Sequence, residues 1–179
     1  MKEVEVKAKL RNKDKVVKKL QDLGCDLSEE IIQTDKVFAP NDVTNLPTGR
    51  NLPFLRIRES KDKYLLTLKI PQSNSLDKYE QETYVTDPAA LENIILRIGF
   101  KLMVTIRKYR RKCTYNSWEI CVDKVEGLGD FVEVEQLSED GDSEKIQSEL
   151  FNFLKTLGIE DADREHFGYD VLIWQKQNK

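Results

Sequence analysis

Apolar residues recur along this chain with two periods. Val4, Val6, Ala8 and Leu10 alternate with Glu3, Glu5, Lys7 and Lys9, the period-two pattern of a strand with one buried face. Similar alternation predicts strands over 2–10, 35–39, 53–60, 63–71, 79–86, 103–113, 115–123 and 130–137. Ser60 to Asp62 reads as a hairpin turn, and Asn116–Ser117 lies near another. The glycines of the Gly127–Gly129 stretch suit a turn; without a following Lys-Ser/Thr they do not make a phosphate loop.

Three segments carry the helical period instead. Val16, Val17, Leu20 and Leu23 share one face, with Asn12 as cap and Gly24 as stop. Asp87 and Pro88 open a second helix, whose stripe is Leu91, Ile94, Ile95 and Ile98. The third, over 142–158, presents Ile146, Leu150, Phe153, Leu154 and Leu157 and ends at Gly158. Each is an amphipathic face that needs a sheet to cover. Between these elements, 40–53 is a long Pro- and Asn-rich loop and 70–78 a shorter one. Arg50 in the former is placed to close over a guest, although surface excursions are the commoner use of such loops. About eight mostly antiparallel strands with three or more helices predict an α+β fold.

Composition narrows the function classes. The 179 residues predict one domain, 1–179, with a sizeable core. A formal net charge of -3 argues against general nucleic-acid binding, which needs a basic excess. Cys25, Cys113 and Cys121 are odd in number and lack CxxC spacing, so neither a disulfide framework nor a zinc site is indicated. With His166 the single histidine, a His-based triad or multi-histidine metal site is excluded. No apolar run approaches the ~18 residues of a membrane span, and the acidic, strand-like N-terminus is not a signal peptide. A cytoplasmic protein without membrane attachment is expected.

The charges are unusual for solvent-facing strand surfaces. Arg56 pairs in parity with Arg58, Lys63 with Thr67 and Lys69, Glu80 with Glu82, and Lys108 with Arg110 and Lys112. Glu119 shares a face with Cys121 and Asp123, and Glu133 with Glu135. Pattern alone leaves two architectures level: an open sheet with a solvated charged face, or an inside-out barrel with its apolar faces under helices and its charges around a wet centre. Rows of Arg and Lys repel unless they meet counter-ions, and polyphosphate suits guanidinium and ammonium groups. Paired carboxylates beside them suit Mg²⁺, which takes one or two carboxylates together with phosphate oxygens and water.

In order along the chain, EVEVK at 3–7, RIR at 56–58, Lys69, YEQETYV at 79–85, GFKLMVTIRKYR at 99–110 and DKVEGLGDFVEVE at 123–135 resemble the CYTH superfamily, the triphosphate tunnel metalloenzymes, above all the class IV adenylate cyclase branch. The resemblance implies an eight-stranded antiparallel β-barrel, the triphosphate tunnel, with a charged interior and helices packed outside. It implies an Mg²⁺- or Mn²⁺-dependent enzyme acting on ATP, tripolyphosphate or thiamine triphosphate, as a cyclase first and a triphosphatase second. By the same resemblance Glu3, Glu5, Glu133 and Glu135 are metal ligands, with Asp123 and Glu82 as helpers. Arg56, Arg58, Lys69, Lys108 and Arg110 form the phosphate clamp. Lys7 is the catalytic lysine that orients or deprotonates the attacking group. Tyr169 lies in a stretch similar to the family's C-terminal tyrosine motif, with Gly168 where Ser is common. Lys9, Arg111 and Lys112 are expected outside or at the rim. The resemblance also leans toward a homodimer. The rival from another class is a polyphosphate binder without turnover.

Overall fold

The computed structural model describes residues 2–46, 52–74, 76–138 and 142–179; Arg50 lies outside them. Eight antiparallel strands, β1 (Lys2–Lys9), β2 (Ile31–Pro40), β3 (Phe54–Ser60), β4 (Lys63–Pro71), β5 (Asp77–Val85), β6 (Phe100–Tyr115), β7 (Trp118–Val125) and β8 (Gly129–Ser138), run in the order β5-β4-β3-β2-β6-β7-β8-β1. The sheet closes where β1 meets β5, through the pairs Lys2–Tyr79, Glu3–Lys78 and Val4–Asp77. Past that point the free edge of β1 is met by a two-residue strand, β9 (Arg164–Glu165), at Lys7 and Ala8. The closed barrel replaces the open-sheet alternative.

Local chemistry sets the element ends. Lys61 and Asp62 both have positive φ, which lets a two-residue turn join β3 to β4 with the twist that hairpins require. The helices are α1 (Lys13–Asp22), α2 (Pro88–Arg97) and α3 (Ser143–Thr156). Side chains of Asn12, Asp87 and Asp142 accept from the backbone N–H groups of Lys15, Ala90 and Glu144 at their starts, each such cap contributing about 1 kcal/mol.

Strand parity then sorts the side chains. Even-numbered Val6, Ala8, Val132 and Val134 face outward and meet Leu20 of α1 and Leu150 and Leu154 of α3. Each fully buried aliphatic side chain here contributes roughly 1.5–3 kcal/mol. Trp118 anchors the same layer, its ring 5.4 Å from that of Phe153. On the far side, Ile95 of α2 packs on Phe38 and Ile57.

A fourth helix, α4 (Tyr169–Gln177), is absent from the sequence-based expectation. Its segment, YDVLIWQKQ, has no clear apolar stripe. Its buried residues Tyr169, Val171 and Ile173 join Val37, Phe54, Val104, Ile106, Val125 and Phe131. Those strand residues have the same parity as the charged rows. The barrel interior is therefore charged along part of its length and apolar at one end, where α4 sits. The expected strands at 35–39 and 103–113 are also longer, reaching 31–40 and 100–115, because all of β2 pairs with residues 100–110 of β6 and the rest of β6 pairs with β7.

Candidate functional site

A cavity of about 460 Å³ occupies the charged interior, within the range of small-molecule sites, roughly 300–1,000 Å³. Period-two parity brings Glu3, Glu5 and Lys7 of β1, Arg56 and Arg58 of β3, Lys69 of β4, Glu82 of β5, Lys108 and Arg110 of β6, and Glu133 and Glu135 of β8 to its wall. Asp123 of β7 sits fully buried behind Arg110.

Acids gather on one side. Glu5 and Glu135 are direct cross-strand partners, and Glu3, Glu5 and Glu135 each offer a carboxylate oxygen within 4.8 Å of the others. Like charges so placed oppose one another. Burial, reinforced by Glu3 and Glu119, pushes the Glu135 carboxyl up to about 9. Burial with Glu80 and Glu5 also raises Glu3, against the pull of Lys69. Three hard oxygen donors in mutual repulsion fit a divalent cation, which would relieve what protons otherwise relieve.

Bases line the rest, and most have counter-ions. Asp35 accepts from Arg58 Nε at 2.7 Å and from Nη2 at 2.8 Å. Asp123 accepts from Arg110 Nε at 2.7 Å, and Glu133 also accepts from Arg110. Lys69 donates to Glu80. Arg56 Nη2 donates to Thr67 Oγ1 at 2.9 Å and to Glu82 Oε1 at 3.2 Å. Lys108 lies 3.8 Å from Asp123; burial, with Arg110 and Arg58, depresses its ammonium to about 8. Lys78, buried between Glu5, Glu80 and Asp170, is raised because those charges outweigh burial.

Lys7 is 1% exposed. Its Nζ lies 3.0 Å from Glu133 and 3.3 Å from Glu5, donates to the Phe167 carbonyl, and stands 4.2 Å from the centre of the Tyr169 ring. Burial opposes its charge, yet Glu5 and Glu133 win and the pKa is raised. Tyr169 donates its hydroxyl to Asp123 at 3.0 Å, so α4 braces both Lys7 and the Arg110–Asp123 pair.

The twelve residues singled out in the sequence thus surround one lumen, but the acids divide. Glu3, Glu5 and Glu135 face each other, whereas Glu133, Asp123 and Glu82 are engaged by Lys7, Arg110 and Arg56. Lys112 reaches the lumen mouth beside Glu119. Arg111 points out to the Ser28 and Leu27 carbonyls, and Lys9 is exposed. Sequence reasoning passed over Asp35, Lys78 and Gln33 as lumen residues. Their signal is the alternation itself, once β2 is extended back to Gln33 and β5 to Lys78.

A closed barrel with helices outside, an acidic cluster facing buried bases, defines a protein built around a highly charged small guest. The CYTH domain family matches residues 1–169, and the chain belongs to that family. It is 33% identical over 160 residues to a Methanocaldococcus jannaschii protein that bears the name "putative adenylate cyclase", covering 88% of this chain and 90% of that one. A conserved hypothetical protein of Pyrococcus furiosus superposes with a TM-score of 0.78 at 29% identity, covering 94% and 98% of the two chains. A Hippeastrum protein, called a "putative adenylyl cyclase" and described as having a dominant triphosphatase activity, shares the fold at a TM-score of 0.63 and 16% identity, over 98% and 95% of the two chains. No helix among the described residues is long and apolar enough to cross a membrane.

Proposed function

We propose that the chain is a divalent-metal-dependent enzyme acting on the triphosphate group of a nucleotide, ATP first, releasing cyclic AMP and pyrophosphate. The observation that carries this reading is the facing of Glu3, Glu5 and Glu135 toward Arg58, Lys69, Lys108 and Arg110 within one buried lumen. Its support for the cyclase reaction is the name of the Methanocaldococcus jannaschii relative.

In this reading Glu3, Glu5 and Glu135 would hold Mg²⁺ or Mn²⁺, which would supply positive charge against the phosphates. Arg56, Arg58, Lys69, Lys108 and Arg110 grip the phosphate chain. Their present counter-ions keep them pre-aimed, so little reorganisation accompanies binding. Lys7 keeps its proton at neutral pH, which suits it to hold an oxygen in line and not to act as a base. Asp123 and Glu82 act through the basic side chains they touch. A cyclase sets the ribose 3′-hydroxyl on the α-phosphorus. The second reading, water attacking the terminal phosphorus, is favoured by a lining dominated by charge, which recognises the phosphate chain and not a base. Tripolyphosphate and thiamine triphosphate are its substrates.

Incubation with Mg²⁺ or Mn²⁺ and, separately, ATP, tripolyphosphate and thiamine triphosphate tests this directly. Cyclic AMP with pyrophosphate supports the cyclase, and orthophosphate supports hydrolysis. Polyphosphate binding without any turnover would leave a non-catalytic binder in place of the enzyme.

A further inference from the structure

Among the described residues, two that line the lumen each bury a side-chain polar atom without a hydrogen-bond partner in the protein: Oε1 of Gln33, an acceptor, and Nε of Arg56, a donor. Buried polar groups are otherwise paired in folded proteins, and an orphan invites a ligand. Gln33 is 5% exposed and lines the lumen, so a partner from outside the protein reaches it through the lumen. The cationic donors nearest in register turn toward carboxylates instead. Lys108, its cross-strand partner on β6, is paired with Asp123. Arg58 spends its Nε and Nη2 on Asp35, the next inward residue of β2 after Gln33.

The two orphans also have an order. Val37 pairs with Arg56, so Gln33, four positions back along β2, lies toward the Ser60 end of β3. Four residues of strand span roughly 13 Å. An occupant that satisfies both is extended, with anionic oxygen at the Arg56 end and a hydroxyl or amino donor at the Gln33 end. Inorganic tripolyphosphate offers the first and not the second.

We propose that Gln33 is a specificity-determining residue, whose carboxamide oxygen accepts a hydrogen bond from the organic part of a triphosphate ester and so prefers a nucleoside triphosphate to bare tripolyphosphate. This rests on the triphosphate reading of the lumen. A site built to pair a substrate donor discriminates against guests that lack it, because its own acceptor is then left buried and unpaired.

The test is titration calorimetry in Mg²⁺ with methylene-bridged, non-reactive analogues of ATP and of tripolyphosphate, on wild type and Gln33→Leu. The variant weakens the ATP analogue by about 5- to 100-fold, the effect of one buried orphan, and leaves the tripolyphosphate analogue within about twofold. A ligand-side series needs no variant to fold: wild type is titrated with ATP analogues lacking the 2′-hydroxyl, the 3′-hydroxyl or the 6-amino group. One of the three loses affinity by a similar factor, and that loss disappears in Gln33→Leu. Equal weakening of both analogues by Gln33→Leu, or three deletions that bind as ATP does, overturns the role of Gln33 while leaving the triphosphate site standing. If neither parent analogue binds wild type, the reading of the lumen falls and this inference falls with it.

Discussion

Asp35→Asn isolates how much of this protein's stability is tied up in holding a cation ready. Asp35 is 3% exposed, directly across from Arg58, and bonded to it through two nitrogens at 2.7 and 2.8 Å. The amide keeps the shape and one acceptor but removes the charge, leaving a buried guanidinium that also faces Arg110. Breaking one side of a buried pair costs about 3–5 kcal/mol. For a chain of this size each kcal/mol moves Tm by about 2–4 °C, so Asp35→Asn should melt roughly 6–20 °C below wild type. Polyphosphate supplies the missing counter-charge. At about 100 times Kd a ligand stabilises by about 2.7 kcal/mol; at equal tripolyphosphate the variant should gain more than wild type, because its Arg58 is not shared. Urea unfolding with and without tripolyphosphate measures both effects. A pH series supplies a third check. Burial raises the Asp35 carboxyl, but the charge and hydrogen bonds of Arg58 outweigh it and hold it well below the usual carboxylate range. Its contribution is therefore complete above about pH 5 and is lost as pH falls further, so the gap between variant and wild type should narrow from about pH 5 to about pH 2. A variant within about 1 kcal/mol of wild type at pH 7, far below the cost of breaking a buried pair, would refute the reasoning. So would a tripolyphosphate gain no larger than wild type's.

Glu5→Gln combined with Glu135→Gln should lower metal-dependent turnover by orders of magnitude while tripolyphosphate still binds, measured by product assay and calorimetry in parallel. Lys108 titrates near 8, below the ordinary lysine value. The native state thus binds fewer protons than the unfolded chain above that pH, and this group's contribution to stability rises with pH through about 8 to 10.4. Anions need its charged form, so tripolyphosphate affinity should fall as pH climbs past 8, a slope that Lys108→Met should flatten in calorimetry. Leu154→Ala, in the fully buried layer between α3 and the barrel, should cost about 2–5 kcal/mol in urea unfolding without changing the metal dependence of turnover. Tyr169→Phe keeps the ring beside Lys7 and loses the bond to Asp123; it should cost about 1–3 kcal/mol in the same unfolding assay.

The outer layer of the fold was the most legible part. The stripe of α3, Val16 and Leu20 of α1, and the even-numbered apolar residues of β1 and β8 are both periodic and packed in one layer, so pattern and packing agree; Leu23, at the end of the α1 stripe, stays exposed. The segment of α4 has no such stripe, since one face meets the inward apolar ring of the barrel and its flanks are partly covered too; no period betrays a helix that docks on an end. Gln33 was passed over for a related reason. The first half of β2 mixes Ile31, Ile32 and Thr34 with polar residues, and only pairing to β6 reveals it as strand.

The amino-acid sequence by itself determined which charged side chains share a face within each strand, because parity along an extended chain is a local property. Its motifs also carried the resemblance to the CYTH family. Tertiary structure alone decided which of those charges became partners. Closure of β1 onto β5 and the tilt of the strands put Glu135 against Glu3 and Glu5, yet Glu133, two residues away on the same face, between Lys7 and Arg110. Distances across a lumen are set by how a sheet closes, and at these separations a few ångströms separate mutual repulsion from a buried ion pair.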